Sequence, residues 1–362
     1  YLPDGYTSMD HVQNMSYTPL QGNKVAILMR DCGYAIGMSY DPTGSGGISA
    51  MAGQAFVDKF SYPKQSVKYF ERDYYSDEEW MQMIAMELGN KTPIMYAGYS
   101  ETSGHAFVFH GMDEEGKVYV NWGWDGQYDG YFSIDLLSPG TDSYSNGQEM
   151  VIGTRATALD TDVIQSLFVS GAPYEFSYDN DKKELTITLV NPVYNSSCRD
   201  FKGKWAIVAE NMTNPEKTEY FDLLDEGDIV EIFAGFLAQS ISDEFSVAPG
   251  SFHIYLATAD VGETNWQYLR SVDGVFYYEM TVADDGAITI ATIPTYTTGS
   301  GIVAPEIQDV PGEVDGIQNV ISKSVNASVP RYFDLQGREV SGSTKGLLIR
   351  RQGSEVKKVM VK

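Results

Sequence analysis

The chain has 362 residues, 43% of them hydrophobic and 13% aromatic, a composition that folds and excludes an intrinsically disordered protein. Its length exceeds one ordinary core and predicts two or three domains. A net charge of −25 argues against nucleic acid as a partner, because phosphate is repelled, and no run of about 18 apolar residues is present to span a membrane as a helix.

The charge is uneven. From residue 317 onward there are nine basic and three acidic residues, against 16 basic and 47 acidic in the remainder. A basic tail on an acidic body predicts a separate module. The chain opens at Tyr1 with neither methionine nor a charged-then-apolar leader, which predicts a processed product or a fragment. The two cysteines, Cys32 and Cys198, fall in segments assigned to different domains, which argues against a disulfide between them.

Residues 1–20 show no period. Asn23 to Asp31 then predicts a helix, with Val25, Ile27, Leu28 and Met29 apolar and Gly33 as its stop. Asp41 to Gly47, with three glycines and a proline, predicts a turn-rich loop. A second helix is expected over Ser49 to Phe60. A third starts at Ser76, where the hydroxyl and Glu79 form a capping box; its apolar face is Trp80, Met83, Ile84 and Leu88.

The pattern then turns to strands at Ile94–Gly98, His105–Gly111, Lys117–Trp122, Tyr131–Ile134 and Met150–Leu159. Helices followed by an antiparallel sheet predict an α+β domain over residues 1–160. Between 164 and 293, short alternating runs recur: Leu185–Leu189, Trp205–Glu210, Ile229–Phe233, Phe252–Ala257, Val275–Met280 and Ile288–Ile293. Their spacing predicts an all-β, immunoglobulin-like sandwich. Residues 294–316 read as a linker, and 317–362 as a small β module.

The chemistry concentrates in two stretches. Gly104-His105-Ala106-Phe107-Val108 heads a strand, and Asn121-Trp122-Gly123-Trp124 follows on the return strand. A cysteine peptidase needs a thiolate, a histidine that takes and returns its proton, and a group that orients the imidazole. His105 suits the second role. Asn121 suits the third, its amide oxygen accepting the imidazole N–H, and Trp122 can shield that bond from water. A histidine at a strand end can equally be a packed structural residue; the combined pattern favours chemistry. His105 and His110 lie five apart on one strand and point to opposite faces, so only one can line a cleft. His11 and His253 stand in unrelated contexts, and no His, Cys and carboxylate set has metal spacing, so neither a metal nor another cofactor is expected.

Residues from about 20 to 160 resemble the C-terminal half of a streptopain-type peptidase, a bacterial branch of the papain-like fold. The resemblance rests on the two stretches above, on Asp129-Gly130-Tyr131-Phe132, and on Leu28 to Gly33 with Tyr40-Asp41-Pro42 ahead of the Gly/Ser loop. It implies His105 as catalytic base and substrate contacts at Gly104 and Ser45, with protein or peptide substrates. It leaves open the balance between Asn121 and Trp122. The family's nucleophilic cysteine precedes the helix at 23–31, and no cysteine stands before residue 21; the thiol is expected on an absent upstream segment or a second chain. Cys32, at a helix C-terminus, meets the helix dipole in the wrong sense to become a thiolate. Asp142 to Gly147 has the composition of a mobile loop, either bordering the substrate site or, as the favoured reading, lying plainly on the surface.

The tail, with Tyr332-Phe333-Asp334-Leu335-Gln336-Gly337-Arg338 and Lys345-Gly346-Leu347-Leu348-Ile349, resembles C-terminal sorting domains of exported Bacteroidetes proteins, which implies secretion or surface attachment. A secreted peptidase is the leading expectation. A non-catalytic secreted or surface binding protein on a degenerate peptidase scaffold is the alternative.

Overall fold

A computed structural model describes residues 18–42, 44–159, 162, 165–224, 229–260 and 266–297, together with the backbone of the strands within 331–361. The first stretch of the chain, including His11, and the linker from 298 onward lie outside the described residues.

Helix α1 spans Pro19–Ala35, longer at both ends than its apolar pattern. Thr18 and Gln21 form a capping box, and Pro19 fills the first turn, where an N–H has no partner anyway. Gly33 does not stop the helix. Its lack of a side chain instead admits Tyr40, whose hydroxyl would stand 1.7 Å from a Cβ at that position. The chain leaves the helix at Gly37, where φ is +63°. Helix α2 covers Ser49–Asp58, and α3 covers Asp77–Gly89 with the Ser76–Glu79 capping box in place. Trp80, Met83 and Ile84 are buried as the periodicity predicts.

Six antiparallel strands follow and interleave with these helices: β1 Lys68–Glu71, β2 Ile94–Tyr99, β3 Gly104–Met112, β4 Val118–Asn121, β5 Gly130–Phe132 and β6 Asn146–Ile152. Their spatial order is β1-β6-β2-β3-β4-β5. One face packs Phe70, Tyr96, Phe107, Phe109 and Trp122 against Trp80, Met83 and Ile84 of α3. On the other face, Tyr69 and Val151 meet Ala50 of α2. Each large apolar side chain so buried contributes about 1.5–3 kcal/mol. β6 starts earlier than the run Met150–Leu159 suggested, taking in Asn146 and Gly147 of the expected surface loop. It ends at Gly153, where φ is +71° and a Cβ would lie 1.9 Å from the Ser66 carbonyl oxygen.

The second region is all β. A three-stranded sheet of Glu175–Asp179, Glu184–Leu189 and Gln239–Glu244 faces a larger sheet built around Phe201–Asn211, Gly250–Asp260 and Gly274–Val282. Phe176, Leu185 and Ile187 from one side share a core with Trp205, Ile254, Leu256 and Phe276 from the other. The strand Thr295–Tyr296 pairs with Phe276 and Tyr277, so this region extends slightly into the expected linker. In the tail, Arg331–Phe333, Glu339–Val340, Gly346–Gln352 and Glu355–Val361 form a four-stranded sheet.

The two larger regions meet through buried polar groups. Arg270, 2% exposed, donates to both oxygens of Glu79 at 2.7 Å and to the Tyr74 carbonyl oxygen at 2.5 Å. Its guanidinium lies 4.0 Å from the centre of the Tyr75 ring. Burial pushes the Glu79 carboxyl up, but hydrogen bonds and charge from Arg270, aided by Ser76, outweigh it and hold the group below the usual carboxylate range. At the β1 edge, Glu71 accepts from Ser196 at 2.6 Å and from Tyr194 at 3.2 Å, and burial raises its carboxyl despite both bonds. Cys198 fills the notch left by Gly53, where a Cβ would stand 2.5 Å from the cysteine Cβ.

Candidate active site

Strand alternation places His105, Phe107 and Phe109 on one face of β3. Phe107 and Phe109 are buried in the core, while His105, second in the strand, is half-buried at the rim. His110 is exposed on the opposite face, against Tyr119. Across the sheet His105 pairs with Gly98. A Cβ there would stand 2.0 Å from the Tyr144 carbonyl oxygen, so glycine is what lets the segment bearing Tyr144 come down beside the histidine.

The imidazole is held by main chain. His105 Nε2 lies 2.9 Å from the Trp122 carbonyl oxygen. A carbonyl oxygen only accepts, so Nε2 is the donor, and in the neutral ring Nδ1 is then the nitrogen that carries the lone pair. Asn121 does not perform the expected direct role: it is exposed, and its Oδ1 accepts from the Gly123 N–H at 2.9 Å. The physical reason is the loop geometry. The Asn121 amide is folded back onto the Trp122–Gly123 peptide, whose carbonyl meets the imidazole, and Gly123 at φ +76° lets the chain turn away beyond it.

Aromatic rings enclose the imidazole. Trp122 is fully buried and nearly parallel to it at 12°, but 6.3 Å away. The nearer cover is Trp124, stacked at 4.7 Å and 23°, with Tyr144 at 5.3 Å. Trp124 and Tyr144 are site residues that sequence reasoning did not single out. The doubled Trp-Gly-Trp spacing carried the signal for Trp124, and the loop Asp142 to Gly147 carried a weaker one for Tyr144.

Gly104 is exposed at the head of β3, where a Cβ would press to 2.8 Å from the Tyr99 ring. Ser45 is exposed in its loop, next to the pairing of Ser39 with Gly46. No hydrogen bond joins Ser45 or Gly104 to His105 among the described residues.

Neither cysteine completes the site. Cys32 is exposed in the last turn of α1, where partial loss of solvent around the thiol and the neighbouring Asp31 charge raise its pKa. Cys198 is buried at the junction of the two regions, and burial pushes its thiol up. Both are poor thiolates. His253 lies in the sandwich, stacked on Tyr277 at 3.7 Å. No cluster of three or more metal-ligating side chains occurs among the described residues, and no described helix is long and apolar enough to cross a membrane.

Residues 4–132 match the Peptidase C10 family. The thiol protease/hemagglutinin PrtT of Porphyromonas gingivalis is 28% identical over 216 residues, which cover 57% of this chain and 24% of that protein. Streptopain of Streptococcus pyogenes is 33% identical over 143 residues, covering 38% of this chain and 36% of streptopain. The solved structure of active interpain A cysteine protease from Prevotella intermedia is 40% identical over 38% of this chain and 58% of its own, with a TM-score of 0.36. The chain thus spans only about a quarter to a third of the curated relatives it matches. The match to the C10 peptidase family falls in the N-terminal portion of the chain.

Proposed function

We propose that this chain is the histidine-bearing part of a secreted cysteine endopeptidase of streptopain type, which hydrolyses peptide bonds in protein substrates. The observation that carries the reading is the fixed imidazole. His105 Nε2 is committed to the Trp122 carbonyl, which leaves Nδ1 as the free base at a half-exposed rim.

The chemistry follows from that tautomer. Nδ1 takes the proton of a cysteine thiol, and the thiolate attacks the scissile carbonyl carbon. The resulting imidazolium returns its proton to the leaving amine, giving an amine product and a thioester. Water, deprotonated by the same nitrogen, then hydrolyses the thioester and frees the thiol. The aromatic enclosure by Trp124 and Tyr144 supports the imidazolium stage. The nucleophilic cysteine is supplied from outside these 362 residues, on a preceding segment or a second chain, since Cys32 and Cys198 are both unsuited. Gly104 keeps the cleft edge open to the substrate backbone, and Ser45 contributes a contact from its loop. The two facing sheets serve as an immunoglobulin-like accessory domain, and the tail as an export and sorting module.

The test is casein cleavage by the complete protein and its His105→Ala variant. Loss of a general base removes about 10²–10⁴-fold in kcat. Undiminished cleavage would overturn the assignment of His105. An absence of cleavage by the unaltered protein, with retained ligand binding, would favour a binding protein on a peptidase scaffold.

A further inference from the structure

The loop after β4 is organised around one carbonyl group. Asp129 Oδ1 accepts the Trp122 N–H at 2.9 Å, and Asn121 Oδ1 accepts the Gly123 N–H at 2.9 Å. The peptides on both sides of the Trp122 α-carbon are therefore pinned by side chains. The loop turns back through left-handed residues: Gly123, Asp125, Gly126 and Tyr128 have φ values of +76°, +52°, +78° and +63°. That path returns Asp129 to the residue seven positions before it. The Trp122 indole is a third anchor, packed against Phe107 at 4.5 Å and Phe132 at 5.3 Å between ring centres.

The Gly123 N–H and the Trp122 C=O belong to one rigid peptide plane. A bond accepted from that N–H fixes the direction of the carbonyl and strengthens it as an acceptor, as happens along hydrogen-bonded chains. The carbonyl is the group that accepts the hydrogen bond from His105 Nε2–H. A continuous line therefore runs from the Asn121 amide oxygen, through one peptide, to the imidazole.

We propose that Asn121 and Asp129 are positioning residues that act on His105 through the main chain, holding the Trp122 carbonyl so that the histidine keeps its proton on Nε2 and its lone pair on Nδ1. Neither side chain touches the imidazole among the described contacts. This inference rests on the peptidase reading for its catalytic consequence, but the tautomer itself does not. Its predicted effect on catalysis falls on kcat and not on KM, because a misaligned base leaves substrate contacts intact.

The experiment reads the ring nitrogens of His105 by ¹⁵N NMR in this 362-residue chain, with the resonances assigned through His105→Gln. The parent is expected to show one protonated Nε2 and one unprotonated Nδ1 above the titration range. Asn121→Ala and Asp129→Ala are expected to draw the two shifts together as the tautomers mix, while Asn121→Asp and Asp129→Asn, which keep an acceptor oxygen, retain the parent pattern. Asn121 is exposed, so its alanine variant keeps the core and decides the matter even if Asp129→Ala does not fold. A folded Asn121→Ala with the parent tautomer would overturn the proposal. In the complete protein the same variant is expected to lower kcat about 10- to 100-fold with KM little changed; an unchanged kcat would overturn its catalytic part. If the complete parent cleaves nothing, the peptidase reading fails alone, because the tautomer is read without any thiol present.

Discussion

The six-stranded sheet is finished in two different ways. At the β1 edge it is closed by the sandwich through charged and polar side chains taken out of water: Glu71 with Ser196 and Tyr194, and close by, Glu79 with Arg270. At the head of β3 it stays partly open, and His105 is held by a backbone carbonyl and a ring of aromatic faces. The first arrangement gives cohesion, since a buried charge stripped of its partner is expensive. The second gives orientation without neutralising the base, since a carbonyl fixes a tautomer and leaves the other nitrogen free.

If that contrast is right, the sharpest blow to stability falls at the junction. Arg270→Ala is expected to cost about 3–5 kcal/mol in denaturant unfolding, with the His105 nitrogen shifts unchanged. A parallel change in those shifts would show that the two ends are coupled. Gly98→Ala attacks the other end. Its Cβ would collide with the Tyr144 carbonyl oxygen, at a cost of about 1–3 kcal/mol, and it should displace Tyr144 from His105. The expected readout is lost casein cleavage by a protein that still melts cooperatively.

Acid sharpens the comparison further. The Glu79 carboxyl is held below its unfolded value, so the stability it contributes is fully present above the ordinary glutamate range near pH 4.3 and is lost as pH falls through the folded value. Unfolding measured at pH 7 and at stepwise lower pH should show this loss in the parent and a smaller one in Arg270→Ala. Trp124→Ala removes the nearest ring from the imidazole face. A cation–π contribution of about 0.5–1 kcal/mol corresponds to a fall in kcat of about 2- to 5-fold in the complete protein. Smallest is the expected effect of Cys32→Ser, which should leave cleavage unaltered. In thiol titration of the folded chain Cys32 should react first and Cys198 only on unfolding.

Much of this was legible wherever the determinants are close in sequence. The α3 capping box is written in Ser76 and Glu79, and the strand carrying His105 follows from Gly104 and the alternation after it. The Gly-His and Asn-Trp-Gly stretches do come together in the fold, His105 meeting the Trp122 carbonyl. What they could not give was the turn between them. Whether Asn121 or the Trp122 carbonyl meets the imidazole depends on how the peptides flanking Trp122 are held, which composition does not encode. Gly33 was misread because its reason for being glycine is Tyr40, not a helix end. β1 was missed because Lys68 to Glu71 lacks a clear alternation: its first three residues are all buried. The Arg270–Glu79 pair, separated by 191 positions, has no local trace at all.

Arg270 also bears on how the sandwich can serve the rest of the molecule. Its guanidinium is held by the Tyr74 carbonyl, the Glu79 carboxylate and the Tyr75 ring, so the sandwich is tied directly to the region that carries His105. Any molecule the sandwich captured would reach the imidazole from one constant bearing, as a workpiece clamped in a jig meets the tool. On the peptidase reading proposed above, reach, and not merely local abundance, would then decide which bonds in a captured chain are cut.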